Sequence, residues 1–157
     1  MLAACTPTPE PTPTPTALFS SDEEAYAAAE ETYRAYAAAS NAVELDDPAT
    51  FESVYVWLDE AALAAAKKSY STMHADDLAL SGTTTFDTVD GVTFANDVVT
   101  IELCLDLTDI KLTNAAGESV LSSDRETRQR TEVELHRATT DTGLVIVRST
   151  VLSEPQC

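Results

Sequence analysis

After Gly82 the spacing of apolar residues changes from a helical period to a period of two, and it does not change back. That single switch constrains the architecture more than any other feature, because helices come first and strands follow with no β-α alternation. A parallel sheet needs crossover helices between its strands, so the sheet here must be antiparallel and the class α+β.

The helical half opens at Ser21-Asp22-Glu23-Glu24, a capping box with Ser21 at the N-cap and an acidic first turn that suits the helix dipole. Tyr26, Ala29, Tyr33, Tyr36 and Ala37 then recur at three- and four-residue steps, placing an alanine and tyrosine stripe on one face as far as Asn41. Asp47-Pro48 supplies an N-cap and a proline at N1 for a short second helix through Phe51, Val54 and Tyr55. A third helix begins near Asp59 and carries Leu63, Ala66, Tyr70, Met73 and Leu78 on one stripe, ending before Ser81-Gly82.

In the strand half, Thr83 to Val89, Val92 to Ala95 and Val98 to Leu105 read as three strands, with Asp90-Gly91 and Asn96-Asp97 as tight turns. Residues 106–125 are polar and irregular, turning at Asn114 to Gly117. Glu126 to Ala138 alternates, with Thr131, Val133 and Leu135 on one face and Arg130, Glu132, Glu134 and His136 on the other. Asp141-Thr142-Gly143 then turns into Leu144 to Leu152, the expected partner of that strand.

The chain of 157 residues suffices for one domain, and its net charge of −18 would repel nucleic acid. Five prolines between Thr6 and Thr16 prevent packing as a helix or central strand and predict an extended polyproline spacer. Ahead of it, Leu2-Ala3-Ala4-Cys5 resembles the bacterial lipobox, whose cysteine receives lipid and becomes the mature N-terminus. The resemblance implies lipid attachment at Cys5, a signal sequence lying upstream, and a location on the outer, extracellular face of the cell membrane. The segments are then 1–5, the end of the signal peptide with the lipobox; 6–20, a Thr/Pro-rich linker; and 21–157, the folded domain. With Cys5 lipidated, the remaining cysteines form an even pair, so a Cys104–Cys157 disulfide is expected, two free thiols being the alternative.

Phe51 to Tyr55 with Trp57, Leu78-Ala79-Leu80-Ser81-Gly82, Leu103-Cys104-Leu105-Asp106, Gly117, the late hairpin and Cys157 occur in an order that resembles Gram-positive lipoproteins with an NTF2-like domain. The resemblance implies helices packed on a curved antiparallel sheet, an NTF2-like cone related to cystatin-like sheets. Residues expected to line the cone interior, by face and period, are Tyr33, Tyr36, Trp57, Tyr70, Phe86, Ile101 and Val133, with Asp106 at its mouth as the one candidate acid. Filling of the cone by these side chains is the simplest expectation and a ligand cavity the alternative.

No paired acids stand at a convincing spacing, no phosphate-cradling glycine loop is present, and His74 with Asp77 offers only two ligands on one helix face. Neither a cofactor nor a metal is therefore expected. The arginines Arg125, Arg128, Arg130 and Arg137 are expected to pair within the chain with Glu126, Glu132 and Glu134. The functional expectation is a non-catalytic, lipid-anchored module for a protein, a wall component or a small ligand, with Thr113 to Ser119 as the first loop to examine. The alternative is an isomerase- or dehydratase-type enzyme using the cone.

Overall fold

The computed structural model describes residues 17–153 and 157; the lipobox, Cys5 and most of the linker lie outside the described residues. The elements run α1 (Asp22–Asn41), a 3-10 turn (Pro48–Phe51), α2 (Glu52–Tyr55), α3 (Glu60–Ala75), β1 (Ala79–Ser81), β2 (Thr85–Ala95), β3 (Val98–Asp106), β4 (Lys111–Thr113), β5 (Arg128–Arg137) and β6 (Leu144–Val151). Strands β2-β3-β5-β6 form one antiparallel sheet in that order, and β1 with β4 forms a second of two strands. The helices pack on one face of the curved four-stranded sheet, an α+β cone as the period switch requires.

The N-terminus of α1 is fixed by Ser21, whose Oγ accepts from Glu24 N at 3.2 Å. Glu24 reaches one residue further back than a capping box has it, accepting from Ser20 N at 2.8 Å and from Ser20 Oγ at 2.6 Å. Ala25, Ala29, Thr32, Tyr33 and Ala37 form the buried stripe. The alanine methyls among them let the helix lie close to the sheet. The approach is tightest over Gly91, where a Cβ would run into the Tyr26 ring. Thr32 Oγ1 donates to Ala28 O at 2.7 Å, so its one proton is used and Thr142 Oγ1, 2.6 Å away, must be the donor between them. That bond ties the middle of α1 to the β5–β6 turn.

Two sequence expectations fail here for identifiable reasons. Helix α3 ends at Ala75 because Asp77 adopts a left-handed conformation (φ 50°) and Leu78 N donates back to Met73 O at 3.0 Å. Leu78 to Ser81 is thereby released from the helix, and Ala79–Ser81 pairs with Lys111–Thr113, inside the stretch expected to be irregular. Asp90-Gly91 does not turn: β2 runs from Thr85 to Ala95, with irregularities in its pairing after Asp87 and after Gly91. Gly91 is needed for the close approach of Tyr26, a reason invisible to local turn chemistry. Asn96-Asp97 does form the expected tight turn, both residues at positive φ (54° and 62°).

The core joins Ala25, Ala29 and Tyr33 to Val99, Ile101, Leu103, Val133, Leu135, Leu144 and Ile146. Thr131, Val133 and Leu135 are buried on one face of β5, as the alternation predicts. Leu18 and Phe19 also pack on the core, so the packed domain takes in residues ahead of Ser21. Cys104 is buried and joined by a disulfide to Cys157, their Cα atoms 5.8 Å apart.

The arginines do pair within the chain, but across strands and with other acids than expected. Arg128 meets Asp87 (2.9 Å) and Asp106 (3.3 Å), Arg130 meets Glu102 (2.6 Å), and Arg137 meets Asp97 (3.1 Å). Register decides this, since the antiparallel pairing sets Arg128 opposite Asp106. Arg125 instead donates to the Leu107 and Ile110 carbonyls at 3.0 Å each, bracing the loop before β4.

Candidate functional site: a tyrosine-lined cavity

The cone is not filled. A cavity of about 810 Å³ lies between α1, α3 and the inner face of the sheet, its far end bounded by β1 and β4. Its origin lies in α3. This helix has no buried residue, and the side it turns to the cavity presents Ala61, Ala62, Ala65 and Ala66, methyl groups too short to reach the opposite wall. An alanine stripe that satisfies helical periodicity therefore leaves space where leucines would have packed.

From α1 come Tyr33, Tyr36, Ala37, Ser40 and Asn41, at the three- and four-residue steps of one helical face. Tyr33 and Tyr36 meet edge to face with centroids 5.5 Å apart, and Tyr70 of α3 stacks on Phe51 at 5.1 Å. Leu80, Ile110 and Leu112 close the end, Leu105 contributes from β3, and Arg148 with Ser149 from β6. Asn41 is a clamp as well as a wall: its Nδ2 donates to Thr84 O and its Oδ1 accepts from Thr84 N, both at 2.9 Å. The pair fixes the C-terminus of α1 to the chain entering β2.

Of the residues expected inside the cone, Tyr33, Tyr36 and Tyr70 line the cavity and the others do not. Ile101 and Val133 are fully buried and directly paired between β3 and β5, so they form solid core. Phe86 packs edge-on against Tyr33 at 5.1 Å with the Arg34 guanidinium 5.3 Å from its centroid, and so supports the wall from behind. Trp57 works through its backbone: its carbonyl accepts from Ile146 N at 2.9 Å, laying Leu58 beside β6, and Leu58 reaches the cavity in its place.

Asp106 alternates to the outer face, one residue past Leu105. Hydrogen bonds from Thr108, its N–H at 2.9 Å, and then the Arg128 guanidinium hold its carboxyl below the usual range. It is a loop-capping anion, not the raised acid that general acid catalysis needs. The Thr113 to Ser119 loop is a self-bonded turn, Asn114 Oδ1 accepting from Ala116 N and Glu118 N at 3.0 Å each, and it stands outside the cavity wall. Its neighbours Leu107, Ile110, Leu112 and Leu121 line the wall instead.

His74 Nδ1 lies 2.7 Å from Leu45 O, and His136 stands 3.0 Å from Glu134. Among the described residues no three His, Cys, Asp or Glu side chains gather closely enough to hold a metal ion. No Asp, Glu or His lines the cavity among the described residues. Arg148, on its wall, is hydrogen-bonded to Glu134.

Burial pushes the Tyr33, Tyr36 and Tyr70 hydroxyls above the ordinary tyrosine range, so they remain protonated donors at neutral pH. A raised folded-state value contributes stability that is complete below about pH 10 and is lost as the pH climbs towards the folded value. In an alkaline absorbance titration these three tyrosines are expected to ionise only together with unfolding. Ionisation of all five tyrosines near pH 10 with a native circular dichroism spectrum would contradict this.

The sequence matches no known protein family and no curated protein. Solved structures share its fold. A Novosphingobium aromaticivorans protein, provisionally named an aromatic ring hydroxylase, superposes with a TM-score of 0.58 at 15% identity, over 86% of this chain and 93% of that one. The intermembrane space region of the chloroplast protein ARC6 gives 0.53 at 14% identity, over 84% and 96%. A Catenulispora acidiphila protein in complex with S-DNPA gives 0.53 at 12%, over 82% and 92%. At such identities the likeness shows the fold alone, and that fold is the NTF2-like cone.

Proposed function

We propose that this chain is a non-catalytic binding module that holds an apolar small molecule in its cone, tethered by lipid on Cys5 at the outer face of the cell membrane. The observation that carries the binding reading is the cavity itself, of ligand size and walled by tyrosine, alanine and leucine, with no Asp, Glu or His among its described lining residues. General acid–base catalysis is most efficient with a group that titrates near neutral pH, and the tyrosines of the described wall are pushed further from that range. The tether rests on the lipobox resemblance and the proline spacer. Among the described residues no helix is long and apolar enough to cross a membrane.

The second reading, a cone-pocket enzyme of isomerase or dehydratase type, draws support from Tyr36 and Tyr70, phenols on the described wall that can donate a proton, and from the hydroxylase name given to one neighbour of the same fold. Two measurements separate the readings. Purified domain is expected to bind fluorene, an uncharged three-ring hydrocarbon, and Ala66→Trp should weaken that binding about tenfold or more by occupying the space, with little change in thermal midpoint. Expressed with its upstream reading frame, the chain should partition with membranes and lose that partition on Cys5→Ala. Absence of binding by both fluorene and its ketone, 9-fluorenone, sinks the binding reading, and turnover of a ring substrate that is lost in Tyr36→Phe or Tyr70→Phe favours the enzyme.

A further inference from the structure

One group on the cavity wall is out of keeping with its apolar surroundings. Ser40 Oγ is buried and makes no hydrogen bond of good geometry, although the Tyr36 and Tyr70 hydroxyls lie within its reach. A buried hydroxyl without a partner costs about 1–3 kcal/mol, so such atoms are uncommon unless something else satisfies them. Ser40 lies one helical turn beyond Tyr36 on α1, and Tyr70 of α3 faces the same spot. The Ser40 hydroxyl is close enough to those of Tyr36 and Tyr70 to hydrogen-bond with them and offset part of the upward push of burial, and all three residues line the cavity. Two protonated phenols and a serine hydroxyl thus cluster on a wall made largely of rings and aliphatic side chains.

Such a cluster suits an oxygen that accepts hydrogen bonds and carries no full charge. An anionic ligand would enter against a chain of net charge −18, and the cationic side chain on the wall, Arg148, is bonded to Glu134. A cationic ligand would find no carboxylate among the described wall residues. We propose that the Tyr36 and Tyr70 hydroxyls, with Ser40 behind them, form the polar pole of the cavity and receive the carbonyl oxygen of an otherwise apolar ring ligand, a ketone or quinone. This rests on the reading of the cone as a binding cavity.

The test uses two probes that differ only at one ring carbon, a methylene in fluorene and a carbonyl in 9-fluorenone, in equilibrium dialysis against the wild type, Ser40→Ala and the Tyr36→Phe/Tyr70→Phe double variant. The ratio of the two affinities is the readout, so general loosening of the cavity cancels. In the wild type the ketone should bind about tenfold or more tightly than the hydrocarbon, although its carbonyl makes it the less apolar of the two. The ratio should fall towards one in the double variant and by a smaller factor in Ser40→Ala. Equal affinities in the wild type, or a ketone preference that survives in the double variant, overturn the proposal while leaving the binding cavity intact. Failure of both probes to bind overturns the cavity reading and this proposal together.

Discussion

A Cys104→Ala/Cys157→Ser variant is expected to lose about 4 kcal/mol of stability, the chain-entropy value for a bridge between cysteines 53 residues apart. Alanine rather than serine is chosen at Cys104 because that site is only 4% exposed and would strand a hydroxyl. The closed loop contains β5 and β6, which pair with β3 and with each other, so the bridge restrains the unfolded chain across the second half of the sheet. Domains of this size are stable by roughly 5–15 kcal/mol, so the denaturant midpoint should fall by a quarter or more. Reduced wild type should unfold at the same denaturant concentration as the variant. An unchanged midpoint in both would remove the bridge from the account of stability.

The second large effect is expected at Gly82. Its φ of 93° lies where side chains with a Cβ are strained, and a Cβ there would collide with the backbone carbonyl of Asp109. That carbonyl belongs to a loop braced on either side by Arg125, so it cannot retreat cheaply. Gly82→Ala should cost at least about 3 kcal/mol, of which 1–2 reflects the left-handed backbone and the rest the displaced loop. Gly117 provides the control, because it also has positive φ (79°) but open space around it, and Gly117→Ala should cost about 1 kcal/mol. Gly82, Ile110 and Leu112 bound the cavity, so the Gly82 variant should also bind fluorene more weakly. Equal losses at the two glycines, measured by denaturant unfolding, would show that the loop yields freely.

Both effects come from pairs distant in sequence, and the same division runs through the whole molecule. Features set within a few residues were legible: the Ser21 cap, Asp47-Pro48 opening the short turn, Asn96-Asp97 as a left-handed pair, and the alternation of Thr131, Val133 and Leu135. Tyr33, Tyr36 and Tyr70 were legible as inward-facing because helical period alone sets their face. Ser40 shares that period with Tyr36 and could be added on spacing, but a serine on a helix gives no sign of how deeply its hydroxyl will be buried. Period cannot say how far a face stands from its neighbour, which is why Ile101 and Val133 read like lining residues and proved to be core.

What the sequence by itself determined was the placing of helices before strands, the antiparallel α+β class and the identity of the apolar faces, because each depends on local backbone chemistry and on periodicity. Only the tertiary structure decided that β2 passes straight through Gly91, that Ala79–Ser81 leaves the helix for a strand, and that the cone holds open space. The physical reason is common to all three. Each depends on the distance between surfaces brought together by folding, Tyr26 over Gly91, β1 beside β4, and the alanines of α3 facing α1 and the sheet across a gap their methyls do not span.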